Sequence, residues 1–168
     1  MKYVSLAFIL IFSNFAWSNG SETYLPNDAQ LFSYSSDTDD RAEGWATCSS
    51  AFLVTTDILG SDMSLSDKES IVVYVDDAAK AAAIIYFHSG WHEGMSESQR
   101  KNLWSFSKSK SKAIAARKKV EMTSYHDKNA GIDKILKTYK YCRMNEANLK
   151  IAVKFYWKFF EIGFIDGM

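Results

Sequence analysis

The chain has two cysteines, Cys48 and Cys142, and any fold it adopts must suit the positions they occupy. How they are read depends on the start of the chain. Lys2 gives a short positive beginning, residues 3–12 are apolar except for Ser5, and Ala16 and Ser18 stand at −3 and −1 of a cleavage position. This is the pattern of a secretory signal. The apolar run falls short of the roughly 20 residues that span a bilayer. No cysteine follows it directly, as a lipoprotein anchor requires. The expectation is a periplasmic or secreted protein without a transmembrane anchor, released by cleavage near Ser18. Thiols pair in an oxidising compartment. One intramolecular bridge is available, Cys48 to Cys142. A redox-active pair would need C-x-x-C, which is absent.

Removal of residues 1–18 leaves 150 of the 168 residues, enough for one domain with a real core. The full chain has one proline and eight glycines, too few for the many turns of a β-sandwich. The expected organisation is a signal over 1–18, a loosely ordered arm over 19–38 and a single helical domain over 39–168. Tyr24, Leu25, Leu31, Phe32 and Tyr34 could lay the arm over the body.

Apolar spacing within 39–168 is helical. Trp45, Cys48, Phe52 and Thr55 repeat at i, i+3, i+4 after the capping residues Asp39 and Asp40. Ser66 to Glu69 reads as a capping box opening a second helix, with Ile71, Val75, Ala78, Ala82 and Ile85 on one face. Ser96 to Gln99 reads as another, opening a third. That helix has a thin stripe of Leu103, Phe106, Ala113, Ile114 and Val120, with its weakest part at the Ser-Lys alternation of 105–112. After Gly131 a final pattern places Ile135, Tyr139, Cys142, Leu149, Val153, Tyr156 and Phe160 together. It is one helix, or two if it breaks at 145–148. The predicted fold is all-α: an antiparallel bundle of four helices, or five with that break, stapled by one disulfide between the first and last helices.

Charge is unevenly distributed. Residues 19–77 contain 12 Asp+Glu and 2 Lys+Arg, whereas residues 78–168 contain 8 and 17. Two halves of opposite sign can neutralise each other by packing. Alternatively the basic half faces an anionic partner. Lys108, Lys110, Lys112, Arg117, Lys118 and Lys119 form the candidate surface, with the aromatic tail represented by Trp157 and Phe159. Export argues against nucleic acid. It leaves an exported or envelope protein, or an anionic envelope surface.

No reaction motif is present. The densest group of possible metal ligands or acid-base residues is His88, His92 and Glu93, with His126 as a further candidate. His88 and His92 have the i, i+4 spacing of helical zinc ligands, but the glutamate follows the second histidine, unlike H-E-x-x-H. No cofactor is implied. The leading expectation is a non-enzymatic exported protein that binds another macromolecule: an inhibitor, an immunity-type protein or an envelope accessory factor. The alternatives are a metal-binding protein or hydrolase built on the histidine cluster, and a binder of anionic surfaces through the basic helix.

Overall fold

A computed structural model describes residues 22–26, 32, 37–124 and 128–168. Residues 1–18, Leu31, Tyr34 and His126 lie outside them, so the signal, part of the arm and the fourth candidate ligand do too. Among the described residues there are five helices and no strands: α1 (Thr38–Leu59), α2 (Leu65–Gly90), α3 (Glu97–Thr123), α4 (Lys128–Met144) and α5 (Glu146–Glu161). None is long and apolar enough to cross a membrane.

Helix α1 is the centre of the fold and packs against α2, α3 and α4. Its cap is Asp37, two residues before the first of the expected pair, and the Asp37 carboxylate accepts from the N–H groups of Asp39 and Asp40. Every residue from 44 to 52 is buried, so the middle of this helix is enclosed on all sides rather than along one stripe. Small side chains make that possible. Gly44, Ala46, Thr47, Ser49, Ser50 and Ala51 let neighbouring backbones approach closely. Three of the buried hydroxyls are satisfied through carbonyls, whereas Thr55 Oγ1 has no hydrogen-bond partner among the described residues: Thr47 Oγ1 donates to Glu43 O at 2.8 Å, Ser49 Oγ to Val75 O of α2 at 3.0 Å, and Ser50 Oγ to Ala115 O of α3 at 2.6 Å. Two polar residues thereby tie the central helix to two neighbours. The facing surface of α2 is equally small, with Ala78, Ala81 and Ala82 fully buried.

The break at Asn145 is real. It divides the last apolar pattern into α4 and α5 and leaves Cys142 on α4. The disulfide therefore joins α1 to the fourth of five helices, with Cα atoms 5.7 Å apart and both cysteines buried. Two other expectations are corrected. Helix α2 is capped by Ser64, which accepts from Asp67 N, and not by Ser66. Residues 105–112 are continuous helix, and the buried stripe of α3 runs through Trp104, Ser107, Ser111 and Ile114. Phe106 and Val120, placed on the core face by hydrophobicity alone, are exposed. Ser107 Oγ donates to Leu103 O within its own helix, so a small hydroxyl fits the interface without needing an outside partner. The capping box at Ser96 and Gln99 is present as expected.

The described parts of the arm lie on the body. Tyr24, Leu25 and Phe32 are buried, and Tyr24 N donates to Thr138 Oγ1 at 3.0 Å. Phe32 stacks on Trp45 with ring centroids 4.1 Å apart.

The C-terminus is also tied down. Gly163 has φ +68, its N–H donates to Phe160 O, and the N–H of Phe164 donates to Phe159 O. This is a Schellman ending, completed by contact between the rings of Phe159 and Phe164 at 5.4 Å. It turns the tail back, burying Ile165 and bringing Asp166 to α3. A Cβ at Gly163 would meet no atom within 4 Å, so replacement is penalised through the backbone alone. Gly163→Ala is expected to destabilise the protein by about 1 kcal/mol, read as a lower urea midpoint with unchanged slope.

Candidate functional site

Helix α5 divides its apolar residues between two faces. Ala152, Tyr156 and the half-buried Phe159 turn inward. Ile151, Phe155, Trp157 and Phe160, with Ile162 just beyond the helix, are 40–65% exposed. The sequence contains too many large apolar groups here for one buried stripe, and the surplus stands in solvent.

One flank of α5 walls a half-open cleft of about 180 Å³. The first half of α1 contributes Arg41 and Trp45, and the second half of α2 contributes Ile84, Ile85 and His88. Ile151, Phe155 and Phe159 of α5 complete the walls, with Phe32 also in the lining. Trp45 is fixed by its stack on Phe32 and is almost completely buried. Phe159 is fixed from behind by Phe87, Trp91 and Phe164. The walls are thus preformed and hydrophobic. Among the described lining residues Arg41 carries a formal charge at neutral pH. The Arg41 guanidinium donates to Thr38 Oγ1 at 3.2 Å, at the rim.

The other flank of α5 carries an aromatic group. Trp157 and Phe160 meet edge to face at 5.6 Å, and Tyr156 stacks on Phe160. Lys80 Nζ lies 4.8 Å from the Trp157 ring centre, a cation–π contact that also holds the indole to α2.

The candidate basic surface is laid against acids of the same chain. Lys110 pairs with Asp39 at 3.2 Å, Arg117 with Glu43 at 3.2 Å, and Lys119 reaches Asp57 at 4.0 Å. Lys118 lies between Glu43 and Glu121, and Lys108 binds Asp166 at 2.9 Å. Among the described residues Lys112 is the one of the six without such a partner. The opposite charges of the two halves therefore meet between α1 and α3. Exposed pairs of this kind contribute about 0–1 kcal/mol each, so they set register more than stability. Lys108 has a second task. Its ammonium also donates to Gly167 O, and Trp104 Nε1 donates to Asp166 O. The hydrogen bond from Lys108 is the main reason that the Asp166 carboxyl is held below its usual range.

His88, His92 and Glu93 are exposed and do not form a group. His88 stands at the edge of the cleft, whereas His92 Nδ1 lies against Glu93 O at 2.9 Å. Among the described residues no three His, Cys, Asp or Glu side chains are placed to hold a metal ion. Of the two aromatic candidates, Trp157 is exposed, but Phe159 belongs mainly to the interior cluster. The cleft residues that sequence reasoning did not mark as a site are Arg41, Ile84, Ile85 and Ile151, whereas Phe155 belongs to the aromatic tail it singled out. The aromatic excess in 155–164 marked the right helix. Nothing in the local pattern of α1 or α2 marked the opposite wall.

No family model, curated protein or solved structure matches the chain.

Proposed function

We propose that this is an exported, non-enzymatic helical protein that binds another macromolecule of the envelope or exterior: an inhibitor, an immunity-type protein or an envelope accessory factor. Residues 1–18 act as the signal for export in this reading, with cleavage near Ser18. An up-and-down, antiparallel order of the helices belongs to the same proposal. The observation that carries it is the set of exposed apolar side chains on the two flanks of α5 and just beyond it, from Ile151 to Ile162. Large apolar groups concentrated on one helix mark contact surfaces, and aromatic residues dominate the energy of such contacts. The disulfide supports the assignment to an oxidising compartment. The basic stripe supports binding less well, because five of its six residues have acidic partners within the chain.

The test uses the mature protein immobilised against envelope extract, beside Trp157→Ser and Phe160→Ser variants. Both side chains are more than a third exposed, so the variants should keep the wild-type circular dichroism. A specifically retained partner should bind each variant about 30-fold more weakly, the loss of a contact worth about 2 kcal/mol. Equal retention by wild type and both variants would remove α5 as the binding face. Failure of residues 1–18 to export a fused reporter would remove the proposed location.

A further inference from the structure

The charge asymmetry between the two parts of the chain is only partly used by the contact of α1 with α3. The first half of α2 also carries Asp67, Glu69, Asp76 and Asp77, and α5 carries Lys150, Lys154 and Lys158. Among the described residues the ion pairs of these two helices stay within each helix, Asp76 with Lys80 and Lys150 with Glu146.

Both helices expose apolar side chains beside those charges, and at matching spacing. On α2, Leu65, Val72 and Val73 are 58–74% exposed. With the exposed Glu69 and Asp76 they fall at i, i+4, i+7, i+8 and i+11, one face of a helix over about three turns. On α5, the exposed Ile151, Lys154, Phe155 and Lys158 fall at i, i+3, i+4 and i+7, and Ile162 just beyond the helix extends the row to i+11. One face mixes aliphatic groups with acids, and the other mixes apolar groups with lysines. Helices that pack side by side are built this way: apolar groups fill the seam, and charges of opposite sign select the partner. The two faces do not meet within one chain. There α2 and α5 pack through other residues, Lys80 against Trp157 and Phe87 against Phe159.

We propose that these faces of α2 and α5 form a self-association surface between two copies of this chain. Leu65, Val72 and Val73 of one copy pack on Ile151 and Phe155 of the other, with Glu69 and Asp76 beside Lys154 and Lys158. Each copy carries both faces, so the contact needs no second kind of protein. A seam of about three turns is short, which places the contact among weak, salt-dependent ones. It uses the cleft flank of α5, whereas the proposed envelope contact is tested at Trp157 and Phe160 on the other.

Sedimentation velocity of the oxidised mature protein, run over increasing concentration at low and at high salt, measures the association. The weight-average mass should rise above that of the monomer with concentration, and less so at high salt. Two variants reverse charge at exposed positions: Lys154→Glu with Lys158→Glu, and Glu69→Lys with Asp76→Lys. Each alone sets like charges face to face and should weaken self-association at least about tenfold, with the circular dichroism unchanged. An equimolar mixture of the two restores opposite charges across the contact and should associate again. Val72→Ser and Phe155→Ser change no charge and should also weaken the association, through the lost apolar contact. A wild type that stays monomeric at every concentration would overturn the proposal, even if the lysine variant lost a different, acidic partner. So would a mixture no more associated than its components, or association lost in Trp157→Ser and Phe160→Ser but kept in the charge-reversed variants. Those two serine variants should self-associate as the wild type does, so self-association and the envelope contact fail separately.

Discussion

Reducing the Cys48–Cys142 disulfide is expected to lower the unfolding free energy by about 4–5 kcal/mol, the largest effect of any single covalent change in this chain. The bridge closes a loop across a sequence separation of 94, and chain entropy removed from the unfolded state grows with the logarithm of that loop. Total stabilities of small domains are about 5–15 kcal/mol, so the reduced protein should keep little margin. The effect is concentrated in the unfolded state, because the folded contacts between α1 and α4 involve more than the two sulfurs. Ile135 and Ala51 share a buried cluster beside the bridge, and Phe52 meets Tyr139 edge to face at 5.6 Å. Urea titrations of oxidised and reduced protein should therefore differ in two respects. The reduced form should have the lower midpoint, and the steeper slope, because its unfolded chain exposes more surface. Both cysteines are buried, so reductant should act slowly without denaturant. Coincident titrations, or two free thiols by mass spectrometry of the oxidised protein, would show that the staple does not hold the fold.

How far the fold was legible in the sequence can be judged from two helices. In α1, the spacing of Trp45, Cys48, Phe52 and Thr55 gave the helix, and all four are buried. The same spacing could not show that the residues between them are buried too, because Thr47, Ser49 and Ser50 look like a solvent face. The burial of Ser49 and Ser50 depends on carbonyls offered by α2 and α3, a tertiary fact with no local signature. In α3 the error runs the other way. Phe106 and Val120 looked like core because they are apolar, yet a helix covered with cations had its inward face set by the acids of α1. Lys110, Arg117 and Lys119 reach Asp39, Glu43 and Asp57, and that orientation turns Ser107 and Ser111 inward. The charge asymmetry between the two halves was therefore the better guide to α3 than its hydrophobicity. The cleft was less legible than either, since its walls come from three helices and residue 32.

Replacing Phe87 by Ala is expected to cost about 3–5 kcal/mol, the usual range for a fully buried phenylalanine. Phe87 is completely buried, and three rings meet it edge to face: Trp104 at 5.8 Å, Phe159 at 6.0 Å and Phe164 at 6.3 Å. Those rings belong to α3, α5 and the tail beyond it. The hole cannot be filled by sliding one element inward, because each ring is held from elsewhere. Trp104 is anchored by Asp166 O, and Phe164 by the turn at Gly163. Collapse being restricted, the upper part of the range is expected. Phe106→Ala, at a position 61% exposed on α3, is the matched control and should change stability by less than about 0.5 kcal/mol. Urea midpoints of the two variants measure the contrast. A cost below about 1 kcal/mol for Phe87→Ala would mean that the rings around it do not form a fixed cluster.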